Sequence, residues 1–189
     1  MKQNIHLSKT EIHNKEKYLC LDENCIDNFE NVLQTYLGGN STVACLSSGT
    51  AAIHIALILA GVGQEDEVIC QSFTFAASAN PIKYQGATPI FIDSERDSWN
   101  MCPVALEVAI KDRMAKEKKP KAIIAVHLYG MPAKILEIAA IAKKYSIVLI
   151  EDAAEALGST YQGQKCGTFG DLGILSFNGN KIITTSGGG

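Results

Sequence analysis

The sequence lacks an excess of positive charge. Its 17 Lys and Arg residues are outnumbered by 20 Asp and Glu residues, which gives a formal net charge of −3. A nucleic-acid-binding surface gains affinity by releasing counterions from phosphates, and for this it needs clustered Lys and Arg. The composition therefore argues against nucleic acid as a partner of this chain.

Membrane, metal and disulfide patterns are also missing. No run approaches the roughly 20 apolar residues of a membrane span, and residues 1–14 are polar, without the apolar core of a signal peptide. The six cysteines form no CxxC pair and no zinc spacing, so reduced thiols and no metal site are predicted. We expect a cytoplasmic protein that does not contact membranes.

The residues that are present indicate an α/β protein, since 47% are hydrophobic and short apolar runs alternate with segments of helical periodicity. Such a pattern is typical of a mostly parallel sheet with helices on both faces. The predicted strands are Val43–Leu46, Glu67–Gln71, Pro89–Asp93, Ala122–His127, Ile147–Glu151 and Ile174–Phe177. The predicted helices are Ile26–Leu37, Thr50–Ala60, Phe75–Tyr84, Pro103–Lys116 and Pro132–Tyr145.

Two details of this pattern concern burial. Helix Thr50–Ala60 is apolar nearly all round, which predicts that it is buried inside the domain. His54 in this helix is interpreted as a structural residue, because a buried histidine is more often a satisfied core residue than a catalytic one. His127 ends a predicted strand near the expected site, and a structural or a functional role is open for it.

Ligands of open α/β sheets bind at the carboxyl ends of the strands, and the first two of these ends carry useful groups. Gly49 and Thr50 open a helix, whose N-terminal N–H groups favour an anion such as phosphate. An ordinary helix cap is the alternative. Phe73 and Phe75 follow the second predicted strand, where they either stack on a planar ligand or fill the core.

Two later strand ends carry charged groups. Glu151 and Asp152 end an apolar strand, so a carboxylate is predicted at the sheet edge, with helix capping as the alternative. Ser176 and Lys181 flank an Asn-Gly turn. Together these strand ends supply an anion site, an aromatic ring, an acid and an amine. A phosphorylated pyridine aldehyde needs that set, and the sequence therefore predicts pyridoxal 5′-phosphate as the cofactor.

The segments that carry these residues are SGTAAIHIAL, GQEDEVICQSFTFAASANPIKYQGATPIFID, VHLYGMPA, IEDAAEALGSTYQGQKCGTFGD and SFNGNKIITTSGGG. They extend nearly continuously from Val43 to Gly189 and resemble the DegT/StrS family of nucleotide-sugar aminotransferases, which are fold-type I pyridoxal-phosphate enzymes. The resemblance implies that Lys181 forms the Schiff base with the cofactor and that Asp152 pairs with the pyridine nitrogen. It thereby implies that both residues are catalytic.

The resemblance also implies the remaining cofactor contacts. Gly49, Thr50 and Ser176 would bind the phosphate, and Phe75 would stack on the pyridine ring. Glu155 would lie near the phenolic oxygen of the cofactor, where many members of the family carry Gln or His.

The implied reaction is a transamination in cell-surface glycan or polysaccharide biosynthesis. Glutamate would donate the amine, and the acceptor would be a nucleotide-linked 4-keto-6-deoxy sugar. The final segment is similar to members that aminate C4 of UDP-linked N-acetylated sugars. One alternative is a pyridoxal-phosphate-dependent sugar dehydratase or lyase, although related dehydratases replace the lysine with His. The other alternative is an inactive fragment, or a module for cofactor binding and dimerisation without turnover.

Members of the family are longer than this chain, and the full-length form is expected to be a homodimer. The expected organisation is an N-terminal segment with one helix (1–40), an incomplete cofactor-binding large domain (41–189) and no small C-terminal domain. Residues 187–189 are expected to enter a strand that lies between Val43–Leu46 and the strand ending at Phe177. Absence of that strand would leave two sheet edges unpaired.

Overall fold

The computed structural model describes residues 24–189, which form five α-helices and seven β-strands. The helices are α1 (Cys25–Tyr36), α2 (Gly49–Leu59), α3 (Asn80–Tyr84), α4 (Pro103–Ala115) and α5 (Ile135–Tyr145). The strands are β1 (Glu67–Gln71), β2 (Thr88–Ile92), β3 (Ala122–Val126), β4 (Val148–Asp152), β5 (Thr160–Tyr161), β6 (Gln164–Lys165) and β7 (Leu172–Ile174).

A parallel sheet with the strand order β2-β1-β3-β4-β7 forms the centre of the fold, and β5 and β6 pair separately as a small antiparallel ladder. One apolar cluster, which includes Ile124 and Ile150, packs against α2 and α3. A second cluster, which includes Ile123 and Leu149, packs against α4 and α5 on the opposite face. The predicted α/β class is confirmed, and the carboxyl ends of the parallel strands meet at one edge.

Strand β1 spans the predicted residues Glu67–Gln71 and is buried along its whole length. It lies between two other strands and under helices on both faces, which explains its apolar sequence. The predicted helix Phe75–Tyr84 is divided into a 3-10 turn at Ala76–Ser78 and the short α3. Pro81 lacks a backbone N–H and is tolerated only in the first turn of a helix, so a new helix begins at Asn80.

The last strand is predicted at Ile174–Phe177, but the observed strand β7 lies earlier in the chain and ends at Ile174. Its ladder with β4 pairs Asp152 with Ile174, and β4 ends at Asp152. No strand residue of β4 is therefore left to pair with the residues that follow Ile174.

The prediction of a first strand at Val43–Leu46 is wrong. A cleft of about 600 Å³ separates this segment from β7, so no neighbouring strand supplies a ladder within residues 24–189. The backbone N–H of Cys45 donates instead to the carboxylate of Glu30 at 2.7 Å. The segment is thus extended but unpaired along most of its length.

The last residues of the chain reach the segment that contains Leu46. Leu46 and Gly189 exchange backbone hydrogen bonds of 2.8 and 3.1 Å, and Phe177 donates its N–H to Gly188 at 3.0 Å. The final glycines therefore lie between Leu46 and Phe177, which is where the sequence analysis places them.

Helix α2 is buried on one side only, contrary to the prediction. Ile53 and Leu57 belong to the core, whereas Ile55, Ile58 and Leu59 are 42%, 49% and 70% exposed. The helix covers one face of the sheet, and no other described element covers its outer side.

Among the cysteines of residues 24–189, the pairing differs from the prediction at Cys25. Cys25 is disulfide-bonded, so the expectation of reduced thiols is wrong there. The free cysteines are Cys45, Cys70, Cys102 and Cys166. Within the range from 24 to 189, no helix is both long enough and apolar enough to cross a bilayer.

Candidate active site

A cavity of about 200 Å³, here called the sheet-edge cavity, lies at the carboxyl edge of the sheet. Its wall includes the N-terminus of α2, the ends of β3 and β4, and the segment after β7. The seven residues to which the family resemblance gives a role all line it: Gly49, Thr50, Phe75, Asp152, Glu155, Ser176 and Lys181. The structure brings the predicted residues to one place, while their individual roles stay predictions.

The N-terminus of α2 offers hydrogen-bond donors to this cavity. Ser48 caps the helix by accepting the N–H of Ala51 at 3.1 Å. The N–H groups of Gly49 and Thr50 have no acceptor among the described residues. A Cβ added at Gly49 would lie only 3.1 Å from the Cβ of Ser176, so glycine allows the Ser176 side chain to approach the helix end. This arrangement is suited to an anion.

The carboxylate of Asp152 lies at the end of β4 and is buried. One oxygen accepts the hydroxyl of Ser78 at 2.6 Å, and the other accepts the N–H of Ala154 at 3.2 Å. Burial raises the pKa of Asp152, whereas these hydrogen bonds and the charge of Lys181 act in the opposite direction. Burial is the largest of these effects, so the pKa of Asp152 is raised overall.

Lys181 brings an amine to the cavity from the loop after β7. Its backbone N–H donates to the carbonyl of Asn178 at 2.9 Å, which forms a turn. Its side chain is 14% exposed, and its nitrogen lies 3.6 Å from one carboxylate oxygen of Glu155. The amine is thus largely shielded from water and has an acidic neighbour.

Glu155 is itself held in place by the turn that follows β3. Its second carboxylate oxygen accepts the N–H of Tyr129 at 2.8 Å. Tyr129 and Gly130 have φ angles of 54° and 80°, and Ser159 donates its hydroxyl to the carbonyl of Gly130 at 2.6 Å. One oxygen of Glu155 therefore binds the turn and the other faces Lys181.

The two phenylalanines after β1 are exposed rather than part of the core. Phe75 is 76% exposed at the rim of the cavity, and Phe73 is 47% exposed. The ring of Phe73 contacts Trp99 edge-to-face, with centroids 5.9 Å apart. The alternative that these aromatics fill the core is therefore wrong.

Two hydroxyl residues of the site are not predicted from the sequence. Thr74 and Ser78 lie 2.8 Å apart through their hydroxyl oxygens, and Ser78 in turn binds Asp152. Ser78 stands in what the sequence presents as a continuous helix, so only its closeness to Phe75 along the chain could have drawn attention to it. The 3-10 turn is what brings its hydroxyl to the carboxylate.

The sequence matches the DegT/DnrJ/EryC1/StrS aminotransferase family over residues 4–189. EpsN of Bacillus subtilis (strain 168) is 55% identical over 164 residues, which are 87% of this chain and 42% of EpsN. The GDP-perosamine synthase of Escherichia coli O157:H7 is 45% identical over 179 residues, or 90% of this chain and 47% of that protein.

A solved structure agrees with the sequence relatives. The PLP form of Spr1654 from Streptococcus pneumoniae matches with a TM-score of 0.78 and 33% identity, over 86% of this chain and 44% of that one. The chain spans less than half the length of the curated relatives named above. Because the family match covers nearly every residue, this chain belongs to the DegT/DnrJ/EryC1/StrS aminotransferase family.

Proposed function

We propose that this chain carries the pyridoxal 5′-phosphate site of a nucleotide-sugar aminotransferase. The observation that carries the proposal is that the amine of Lys181 and the buried carboxylate of Asp152 line one cavity with the N-terminus of α2. Membership of an aminotransferase family supports it, and so does the likeness to a structure solved in its PLP form.

The residues around the cavity fit this cofactor. Gly49 and Thr50 present free N–H donors beside the hydroxyl of Ser176, which suits a phosphate. Phe75 at the rim offers a ring face, and Asp152 offers a carboxyl group. The volume of about 200 Å³ is below the roughly 300–1,000 Å³ of drug-sized ligand pockets, so it suits a small planar molecule.

When bound, the cofactor supplies an aldehyde carbon that combines with amines and a ring that withdraws electrons. Asp152 would face the ring nitrogen of the bound cofactor, where its buried carboxylate would stabilise a proton held on that nitrogen. As a free amine, Lys181 takes up and returns a proton at its side-chain nitrogen, and it is the group we assign to proton transfer at the substrate carbon.

We further propose glutamate as the amino donor and a nucleotide-linked 4-keto-6-deoxy sugar as the acceptor. The similarity to a GDP-perosamine synthase supports a sugar nucleotide of this class. Glu155 lies 3.6 Å from the nitrogen of Lys181 and is placed to hold that amine in position before the exchange.

Cofactor binding is tested by titrating the chain with pyridoxal 5′-phosphate and recording its visible absorbance. We expect a new band in the wild-type chain and in Lys119→Ala, which removes an exposed lysine as a matched control. Lys181→Ala should lose the band, because the covalent attachment needs this amine. A band of equal strength in Lys181→Ala would contradict the assignment.

The reaction is tested by incubating the chain with glutamate and a 4-keto sugar nucleotide, followed by mass spectrometry. An aminotransferase yields an amino sugar and 2-oxoglutarate, whereas a dehydratase yields a product that has lost water. A cofactor band without either product would support the alternative of a binding module without turnover.

We also propose that the protein acts as a homodimer. The apolar outer side of α2, with Ile55, Ile58 and Leu59 exposed, is a surface that a second copy could cover. Sedimentation velocity of the wild-type chain and of Ile58→Glu tests this, since a dimer through α2 should dissociate in the variant. A monomeric wild-type chain would overturn it.

A further inference from the structure

A second carboxylate lies next to the site but faces the other side of the sheet. Glu151 precedes Asp152 in β4, and because side chains alternate along a strand, the two carboxylates point to opposite faces. Glu151 has no exposed surface. A buried carboxylate is costly unless all its oxygens are hydrogen-bonded, so its partners explain how it is tolerated.

Four N–H donors surround the carboxylate of Glu151. The ring of His127 lies 2.9 Å from one oxygen, which also accepts the N–H of Gly167 at 2.9 Å. The other oxygen accepts the N–H groups of Phe169 and Gly170 at 2.5 and 2.6 Å. Since every contact is a donor aimed at an oxygen, the geometry suits the ionised form.

The state of His127 follows from its second ring nitrogen. The N–H of Ala133 donates to Nδ1 at 3.0 Å, so Nδ1 carries no proton, and Nε2 carries one and donates it to Glu151. The backbone N–H of His127 also donates to the carbonyl of Asp152 at 3.0 Å. Backbone and side chain of one residue therefore bind two consecutive residues of β4.

The segments that meet at Glu151 also carry the predicted site residues. The loop with Gly167 and Gly170 leads into β7 and from there to Ser176 and Lys181. Ala153, which follows Asp152, donates its N–H to the end of β7. A shift of this loop would therefore move the loop after β7 relative to Asp152.

We propose that Glu151, together with His127, is a positioning group of the cofactor site. It holds the ends of β3, β4 and β7 in register so that Asp152, Ser176 and Lys181 meet one ligand. A buried charged group is often no more stabilising than an apolar residue of the same size, so stability alone does not explain a carboxylate at this position. The four directed hydrogen bonds explain it, because an apolar residue could not accept them. The inference rests on the proposed function for the identity of that ligand.

The test compares Glu151→Gln with the wild-type chain by amide hydrogen exchange without cofactor. In Glu151→Gln an NH₂ group replaces one carboxylate oxygen and faces backbone N–H donors, so hydrogen bonds are lost. We therefore expect the amide exchange rates at Gly170, Phe177 and Lys181 to rise at least tenfold. The amide of Cys70 in β1 should keep its wild-type protection. An equal rise at Cys70 would indicate general destabilisation and would overturn the positioning role, as would no change at Lys181.

A second readout uses the cofactor band. With folded Glu151→Gln we expect at least tenfold weaker binding of pyridoxal 5′-phosphate and a shifted pH midpoint of the band. Wild-type affinity and an unchanged midpoint would overturn the inference. Absence of any band in the wild-type chain, with the expected exchange pattern in Glu151→Gln, would count against the proposed function and not against the positioning role.

If Glu151→Gln does not fold, substitutions of His127 provide the same test. His127→Gln retains a donor for Glu151 and an acceptor for Ala133, whereas His127→Leu retains neither. We expect exchange at Lys181 to be near wild type in His127→Gln and to rise in His127→Leu. Identical behaviour of the two variants would overturn the proposal.

Discussion

The hydroxyl of Ser78 lies 2.6 Å from a carboxylate oxygen of Asp152, and it joins the turn after β1 to the end of β4. Ser78 is buried, and its own oxygen lies 2.8 Å from the hydroxyl of Thr74. This contact lowers the pKa of Asp152 against the larger raising effect of burial. The turn after β1 therefore influences the protonation of an acid on another strand.

Removal of this hydroxyl should weaken the cofactor site. In Ser78→Ala the pKa of Asp152 should rise further, because a hydrogen bond to the charged form is lost. We expect about tenfold weaker binding of pyridoxal 5′-phosphate in an absorbance titration, in line with about 1.5 kcal/mol for such a bond. Ser78→Thr keeps the hydroxyl and should bind nearly as the wild type. Equal losses in both variants would contradict the role of the hydroxyl.

Replacement of the buried acid should stabilise the cofactor-free protein. Because the pKa of Asp152 is raised on folding, its contribution to stability is present at acid pH and is lost as pH rises through the folded-state value. Urea unfolding is measured at a series of pH values. At neutral pH the free energy of unfolding of Asp152→Asn should exceed that of the wild type by about 1 kcal/mol.

The gain in Asp152→Asn should shrink toward acid pH, where the wild-type carboxyl is protonated in both states. Lys181, Glu155 and Cys70 remain as the charged or titratable neighbours that interact with residue 152. A difference that does not change with pH would contradict the linkage to Asp152.

Loss of the charge on Glu155 should speed the attachment of the cofactor. The carboxylate of Glu155 lies 3.6 Å from the nitrogen of Lys181 and holds this amine in an ion-pair contact, which has to break before the amine can attack an aldehyde. In Glu155→Gln the amide oxygen still accepts from Tyr129, so the turn should persist. Stopped-flow absorbance at neutral pH should show attachment several-fold faster than in the wild type or in Glu137→Gln, an exposed control. A slower rate would refute this explanation.

Strand β7 should not tolerate a larger residue at its closest contact with the loop that precedes it. A Cβ added at Gly173 would overlap the carbonyl oxygen of Gly167, which is backbone and cannot rotate away. We expect Gly173→Ala to lower the free energy of unfolding in urea by about 3 kcal/mol, as overpacking does. In Gly63→Ala the nearest atom would be 4.0 Å away, so its stability should match the wild type. Similar values for both variants would argue against a steric cause.

Sequence patterns predicted the strands best where the structure buries both faces. Glu67–Gln71 lies between two strands and two helix layers, so it is buried on both faces. Its apolar sequence is the one that such a strand requires. Val43–Leu46 is also apolar, but within residues 24–189 only Leu46 finds a backbone partner, and the segment does not form a strand. A local pattern describes what a segment prefers, whereas a ladder also requires a partner.

The sequence by itself determined the chemical groups of the site, because an acid, an amine and a glycine-led helix each follow a strand whose end must reach the same edge. Only the tertiary structure decided which atoms meet. Ser78 reaches Asp152, Glu155 faces Lys181, and Glu151 turns to His127 on the opposite face. These contacts join residues far apart in the chain, and their distances depend on how strands and turns pack against each other, which no local pattern encodes.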